Sequence, residues 1–139
     1  MKALSQILKE TSEQKTKKER IAYLKKNTNP ALNKLLRYAY GKDMKFLLPE
    51  GAPPFKPSKF DEPNALYQEV RRLYLFVEGG QQGLTQLRRE SLFIETLEFV
   101  DKEDAELLIS VKDKKLPYKN LNEDVVREAL PEVFSDEKI

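Results

Sequence analysis

The sequence predicts an all-α protein, a compact single domain of six to seven helices. Apolar residues recur at helical spacing in most segments, and several of these segments begin with a capping motif and end at Gly or Pro. No segment shows the sustained alternation of apolar and polar residues that is typical of a strand. With 139 residues, the chain has the length of one ordinary domain, so we assign residues 1–139 to a single helical unit.

The first two helices are predicted from an apolar stripe and a capping box. The first ends near Ser12, and its apolar residues are Ala3, Leu4, Ile7 and Leu8. Thr16 and Glu19 form the pattern T-x-x-E, in which side-chain oxygens bind backbone N–H groups at a helix start. A second helix is therefore expected from this point, with Ile21, Ala22, Tyr23 and Leu24 on its apolar side.

A third helix is predicted between Asn29 and Gly41. Asn is a favoured cap, Pro30 suits the first helical position, and Gly41 marks the end. Its predicted buried stripe consists of Leu32, Leu35, Leu36, Ala39 and Tyr40. This arrangement leaves Lys34, Arg37 and Tyr38 nearer to solvent, where they are candidates for contact with a partner.

The middle of the chain is predicted to be a Pro-rich loop followed by a helix. Residues 49–63 hold five of the eight prolines, which excludes a regular helix or a central strand. We expect Phe55 and Phe60 to hold this loop to the protein body. Asp61 or Pro63 then opens a helix that ends at Gly79-Gly80. Its predicted inward residues are Leu66, Val70, Leu73, Tyr74 and Val77.

Three further helices are predicted in the C-terminal part. The segment 84–100 forms the first, with Leu87, Leu92, Ile94, Leu97 and Val100 as its apolar residues. Asp101 is expected to cap the next helix through its side chain, and Asn122 the last, which Pro131 ends.

The composition argues against catalysis. The chain contains no His and no Cys, so it lacks the usual general base near neutral pH, a thiol nucleophile and the commonest metal ligands. We therefore expect a protein that is not an enzyme and has neither cofactor nor metal. No apolar run approaches the length of a membrane span, and the N-terminus lacks a signal-peptide core. These features predict a cytoplasmic protein without a membrane partner.

Charge is distributed unevenly along the chain. Residues 1–46 carry twelve Lys/Arg and four Asp/Glu, whereas residues 47–139 carry thirteen and nineteen. The net charge of +2 therefore combines a basic part with an acidic part. A basic part of this kind is typical of proteins that bind a polyanion, and nucleic acid is the first candidate. The alternative is a solvated helical surface with no partner.

Two clusters are candidates for DNA binding, because Lys and Arg neutralise phosphates and polar groups at helix starts bind them. The early cluster comprises Lys17, Lys18, Lys25, Lys26, Lys34, Arg37, Lys42 and Lys45. The late cluster comprises Lys112, Lys114, Lys115, Tyr118, Lys119, Asn120 and Asn122, together with the amides after Asn122. For the late cluster, an equally weighted alternative is that Tyr118 packs against the protein and the lysines only solvate a loop.

Other patterns favour structural interpretations. The glycines at 79, 80 and 83 follow no predicted strand and have the wrong spacing for a nucleotide-binding loop, so we expect a turn between helices. The acids Glu103, Asp104 and Glu106 stand at a helix start, where carboxylates are stabilised by the helix dipole. Lys112 to Lys115 lacks the order and the glycine of the K-x-D-G motif of nucleotidyltransferases, which excludes a covalent lysine nucleophile.

The order of these elements resembles a known domain. The run LSQILKETSEQKTKKERIAYLKKNTNPALNKLLRYAYGKDMKFLL is similar to the N-terminal helical DNA-binding domain of the DNA ligases of T-even phages. The segments FVEGGQQGLTQLRRESL and FVDKEDAELLISVKDKKLPYKNLNEDVVREALPEVF resemble the later parts of that domain. The segments LLPEG-x-PP, RRLYLFVEGG and DKKLPYK also resemble small uncharacterised proteins of marine T-even-like phages.

The resemblance implies a DNA-binding function without ligase chemistry. In the ligases this domain holds duplex DNA across the minor groove around a nick and reads little base sequence. We therefore expect no counterpart of the adenylation domain and its nucleophilic lysine motif. The ligase loop before the last helix carries Gly and a small residue, whereas this chain has Leu116-Pro117-Tyr118-Lys119-Asn120. The terminal Pro-Gly-Leu of that domain is replaced by Pro131-Glu132-Val133.

Two functions are therefore expected from the sequence. The first is a non-catalytic phage accessory protein, in the cytoplasm of an infected bacterium, that binds the backbone of duplex DNA, intact or nicked. The second is a protein-interaction module on the same scaffold, which engages a phage or host protein of replication, transcription or the virion.

Overall fold

The computed structural model describes residues 2–59 and 64–137, and these ranges contain seven α-helices. They are α1 (Leu4–Ser12), α2 (Lys17–Asn27), α3 (Pro30–Tyr40), α4 (Ala65–Glu69), α5 (Gln86–Phe99), α6 (Lys102–Lys112) and α7 (Glu123–Ala129). Two 3-10 helices, Val70–Phe76 and Pro131–Phe134, follow α4 and α7. Within the described ranges, β-pairing is limited to an isolated bridge between Phe46 and Val77. The predicted all-α fold is confirmed.

Three of the predicted helix starts are confirmed by side-chain caps. Thr16 accepts from the N–H of Glu19 at 3.1 Å, Asn29 from Leu32 at 2.8 Å, and Asn122 from Val125 at 3.1 Å. Thr85, which was not predicted as a cap, accepts from Arg88 at 3.2 Å and starts α5. Asp101 occupies the cap position of α6 but makes no side-chain cap bond, so the expected mechanism is wrong there.

Helix α6 is central to the packing. It contacts α1, α3 and α5, and its Leu107, Leu108 and Val111 are buried. A polar contact joins it to α1, since the backbone N–H of Ser5 donates to the Oδ1 of the fully buried Asp104 at 3.1 Å. The acid at this helix start therefore helps to hold two helices together.

Helix α2 packs on α1 and α7 through a narrow apolar face. Of its predicted apolar residues, only Leu24 is buried; Ile21 and Tyr23 are half-buried, and Ala22 is exposed. Four consecutive residues are spread over about 300° around the helix axis, so they cannot all face one neighbour. Most of the circumference of α2 is therefore left to solvent.

Helix α3 buries Leu32, Leu35, Leu36 and Ala39 as predicted, but the position of Tyr38 is a correction. Tyr38 was expected near solvent, yet it is only 6% exposed. Its ring packs against Phe46, with 6.2 Å between the ring centroids. The segment after Gly41 folds back over α3 and covers this face.

The segment after the Pro-rich loop changes helix type partway along. The predicted start at Asp61 or Pro63, and Phe60, lie outside the described residues. Burial follows α-helical spacing at Leu66 and Val70, then the three-residue period of a 3-10 helix at Leu73 and Phe76. This shorter period turns Tyr74 outward to 44% exposure, so its predicted inward position is wrong.

The Pro-rich loop has no helix or strand in its described part, residues 49–59, and Phe55 is half-buried against the core as predicted. The chain on either side is held by backbone bonds. Leu47 donates to Phe76 and Glu78 donates to Lys45, both at 2.8 Å. These bonds fix the exit of α3 beside the glycine turn.

Helix α5 is rotated relative to the prediction at its first turn. Leu92, Leu97 and Val100 are buried as predicted, whereas Leu87 is 82% exposed. Arg89 is buried instead, because its guanidinium donates to the carbonyl oxygens of Leu75 and Leu84 and to the side chain of Gln86. Residue 87 lies roughly on the opposite side of the helix from residue 89.

Candidate nucleic-acid interface

The exposed side of α2 carries three unpaired lysines. Lys18, Lys25 and Lys26 are exposed, and none has an ionic partner among the described residues. Spacings of three, four and seven residues place Lys18, Ala22 and Lys25 along one stripe, with Lys26 beside it. We call Lys18, Lys25 and Lys26 the α2 lysine face. These lysines are left in solvent because α2 packs on its neighbours only through Leu24 and the half-buried residues beside it.

Lys17 lies at the edge of this face, where α2 meets α7. Its Nζ is 3.4 Å from a carboxylate oxygen of Glu128, and both side chains are about half exposed. A surface pair of this kind contributes at most about 1 kcal/mol, so it is easily exchanged for another anion. Lys17 remains accessible but is partly neutralised.

The other exposed lysines of the early cluster lie at the two ends of α3. Lys34 is in its second turn, whereas Lys42 and Lys45 follow its end. Eight helical residues span about 12 Å, so these lysines do not form one patch. Beside Lys42, the carboxylate of Glu137 accepts from the backbone N–H of Lys42. The surface near Lys42 is therefore less basic than the α2 lysine face.

Arg37 is a correction to the predicted interface. Its side chain is 12% exposed and is surrounded by carboxylates of Asp43, Asp136 and Glu137 at 2.9, 3.5 and 3.8 Å. These acids come from the turn after α3 and from the C-terminal segment, both of which fold over it. Arg37 therefore holds the chain together and is not available to DNA.

Lys112 is a second correction. Its side chain is 2% exposed, and its Nζ donates to the carbonyl oxygen of Pro49 at 2.8 Å and to Asp113 at 2.6 Å. Burial of a charge is tolerated only with such pairing. Lys112 therefore attaches the Pro-rich loop to the end of α6, and it cannot contact phosphate.

Lys114 is a third correction, since its ammonium group is enclosed by backbone. The Nζ donates to the carbonyl oxygens of Tyr38, Gly41 and Met44, each at 2.9 Å. Burial lowers the pKa of Lys114, although nearby Asp43 and Glu123 oppose the shift. This lysine joins the loop after α6 to the end of α3.

Tyr118 packs against the protein, as the alternative interpretation of the late cluster expected, whereas Lys112 and Lys114 do not merely solvate a loop. Its hydroxyl donates to the carbonyl oxygen of Ser5 at 3.1 Å, and burial raises the pKa of the phenol above its ordinary value. The ring lies against the core. The hydroxyl that was predicted to contact DNA is therefore occupied within the protein.

What remains of the late cluster is small. Lys115, Lys119 and Asn120 are exposed. The side chain of Asn122 is occupied as the cap of α7, and the first turn of that helix contains Glu123 and Asp124. Two carboxylates at the helix start repel phosphate, so the predicted amide site after Asn122 is electrostatically unfavourable.

The structure also contains a basic cleft that the sequence did not predict. It has a volume of about 750 Å³ and lies between α1, the α2–α3 junction and the α4 region. Lys2, Lys34 and Arg71 line it together with Asn27, Asn29 and Tyr67. Of these, only Lys34 was a predicted site residue. Arg71 and Lys34 are separated by the Pro-rich loop, so no local pattern joins them.

Among the described residues, no helix is long and apolar enough to cross a membrane, and no group of three or more acids is arranged to hold a metal ion. The described chain is thus an all-α protein with a lysine-rich helix face and a basic cleft. It belongs to the family of unknown function DUF6433, which matches residues 7–118. No curated protein and no solved structure matches the chain.

Proposed function

We propose that this protein binds duplex DNA, intact or nicked, through phosphate contacts from the α2 lysine face. The observation that carries the proposal is the set of three exposed lysines on one side of α2, which have no carboxylate partner among the described residues. The resemblance to the ligase DNA-binding domain includes this helix, which supports DNA as the polyanion. The protein would act as a non-catalytic accessory protein of a phage.

Little sequence preference is expected from this surface. Lysine is a flexible point charge that neutralises phosphate, whereas sequence is read mainly by side chains that reach base edges. The α2 lysine face presents lysines around Ala22 and no Arg, Asn or Gln among them. Binding should therefore depend on charge and salt more than on base sequence.

Fluorescence anisotropy with intact, nicked and single-stranded DNA at two salt concentrations tests the proposal. The double variant Lys25→Glu/Lys26→Glu should weaken duplex binding at least tenfold. The matched control, Lys56→Glu/Lys59→Glu, changes the same charge on the exposed Pro-rich loop and should have little effect. Absence of duplex binding at low salt, or an equal loss in both variants, would rule out this function for the α2 lysine face.

A second candidate function, protein interaction, is favoured by exposed apolar side chains on α5. Leu87 is 82% exposed and Phe99 is 51% exposed, and burial of either side chain against a protein partner would be favourable. Pull-down from infected cells with and without nuclease separates the two functions. A protein retained after nuclease treatment and lost on Leu87→Ser would support interaction, whereas nuclease-sensitive recovery supports DNA.

A further inference from the structure

The basic cleft combines cationic side chains with an apolar wall. Lys34 comes from α3 and Arg71 from the 3-10 helix after α4, and both line the cleft. Neither has an ionic partner among the described residues, and both are exposed. The third cation, Lys2, is already paired with Glu10. No carboxylate is among the described residues that line the cleft, so the charged side chains of this lining are all cationic.

The positive charge of the cleft comes from side chains, and the start of α3 adds little to it. Pro30 has no N–H, and the N–H of Leu32 is taken by the side chain of Asn29. Two of the backbone donors that usually bind an anion at a helix start are therefore missing or occupied. Lys34 and Arg71 remain as the groups able to hold an anion.

The apolar wall is fixed in place before any ligand binds. It includes Ile7, Val70 and the ring of Tyr67. The Tyr67 hydroxyl donates to the carbonyl oxygen of Lys2 at 2.7 Å and accepts from Asn29 at 3.2 Å. Because both bonds hold the phenol, the ring offers a preorganised surface for an aromatic or sugar group.

We propose that this cleft binds a nucleotide with a terminal phosphate, the phosphate between Lys34 and Arg71 and the base or sugar against the apolar wall. Ligand sites usually have volumes of about 300–1,000 Å³ and combine an apolar lining with a few polar groups. The volume and the lining of this cleft fit that description. The guanidinium of Arg71 has the planar geometry that suits two phosphate oxygens. A free nucleotide and the phosphorylated end of a strand share this chemistry.

The proposal is independent of duplex binding by the α2 lysine face. Asn27, the last residue of α2, lines the cleft, so the two surfaces adjoin. Arg71 belongs to the cleft alone, whereas Lys25 and Lys26 belong to the α2 lysine face alone. Variants at these positions therefore separate the two activities.

Calorimetric titration of the full chain with deoxyadenosine monophosphate, deoxyadenosine and inorganic phosphate tests the proposal. The monophosphate should bind at least tenfold more tightly than either of its parts. Arg71→Gln and Lys34→Gln should each weaken it about tenfold, since each removes a charged hydrogen bond. Arg72→Gln is the matched control, because Arg72 is the next residue, does not line the cleft and pairs with Glu69 at 3.5 Å.

Competition with a short single-stranded oligonucleotide identifies the source of the phosphate. The oligonucleotide is used with and without a 5′-phosphate. If only the phosphorylated form displaces the monophosphate, the source is a strand end. If neither form displaces it, the source is a free nucleotide. Equal displacement with and without the 5′-phosphate would overturn the requirement for a terminal phosphate. The proposal is also wrong if the monophosphate does not bind at millimolar concentration, or if Arg72→Gln weakens it as much as Arg71→Gln. Lys25→Glu/Lys26→Glu should leave it bound.

Discussion

The ammonium nitrogen of Lys114 lies 2.9 Å from the carbonyl oxygen of Tyr38, although 76 residues separate them in the chain. Lys114 also has a positive φ of 64°, a conformation more often occupied by Gly. It follows α6 in a Schellman arrangement, in which its N–H donates to Val111 and that of Lys115 donates to Ser110. Its side-chain bonds compensate for a backbone conformation that costs about 1 kcal/mol.

Replacement of Lys114 should therefore reduce stability without weakening DNA binding. We expect Lys114→Met to lower the free energy of unfolding by about 2–3 kcal/mol, because charged hydrogen bonds to three carbonyl groups are lost. Lys114→Gly should lose about 1 kcal/mol less, since glycine relieves the positive φ. Chemical denaturation measures both. The neighbouring Lys115→Met is the control, and it should leave stability within about 0.5 kcal/mol.

The helix starts were predictable because their signals are local. Thr16, Asn29 and Asn122 each satisfy a backbone N–H three residues away, so the chemistry is complete within one turn. The apolar stripes of α1 and α3 were also predictable from the sequence, since the apolar residues of each recur with the helical period. Prediction failed at Tyr74, where a 3-10 helix replaces the assumed α-helix and changes the period from 3.6 to 3.0 residues.

The sequence could not predict which individual basic side chains are buried and which are exposed. Lys112, Lys114 and Lys115 are near neighbours, yet only Lys115 is exposed. Their environments depend on Pro49 and Tyr38, which are remote in sequence and arrive only when the chain folds. The same applies to Arg71, whose cleft partner Lys34 lies on another helix. Tertiary contacts thus decide which charges are structural and which are accessible.

The turn after the 3-10 helix requires glycine at position 80 for space. A Cβ on Gly80 would lie 1.9 Å from the carbonyl oxygen of Tyr74, which is far closer than a contact allows. Gly80→Ala should therefore lower the free energy of unfolding by about 2–3 kcal/mol through displacement of this turn. Thermal denaturation detects this as a fall in Tm on the order of 10 °C.

Gly83→Ala provides the comparison for Gly80. Gly83 has a positive φ of 84°, but a Cβ at this position would have no other atom within 4 Å. Its replacement should cost only backbone strain, about 1 kcal/mol. An equal effect of the two substitutions would show that close approach to Tyr74 does not limit the turn.

Glu137 joins the C-terminal segment to Arg127, and this contact should make stability sensitive to acid. Hydrogen bonds from Arg127 at 2.8 and 3.1 Å lower the pKa of Glu137 from 4.5 to about 2. A carboxyl group whose pKa is lower in the folded state stabilises the fold above its unfolded pKa. That stabilisation should disappear progressively as the pH falls from about 4.5 towards 2.

Glu137→Gln separates this contribution from general acid denaturation. At pH 7 the variant should be less stable by about 2 kcal/mol, because the half-buried guanidinium of Arg127 loses its charged acceptor. The two proteins should converge in stability only as the pH falls to about 2 and below, where Glu137 is protonated in the folded state too. Asp136→Asn is the control, since that side chain is 84% exposed and should change stability little. A constant difference between wild type and Glu137→Gln at every pH would contradict the assignment.

The α2 lysine face should show itself in the salt dependence of DNA binding. If Lys18, Lys25 and Lys26 each neutralise one phosphate, the slope of log K against log salt should be about −3 for duplex DNA. Each single Lys→Gln change should reduce the steepness by about 1, equally for DNA of different sequences. Lys114→Met, measured where it remains folded, should leave the slope unchanged because its ammonium group faces carbonyl oxygens. A slope unaffected by Lys18, Lys25 and Lys26 together would place the DNA elsewhere on the protein.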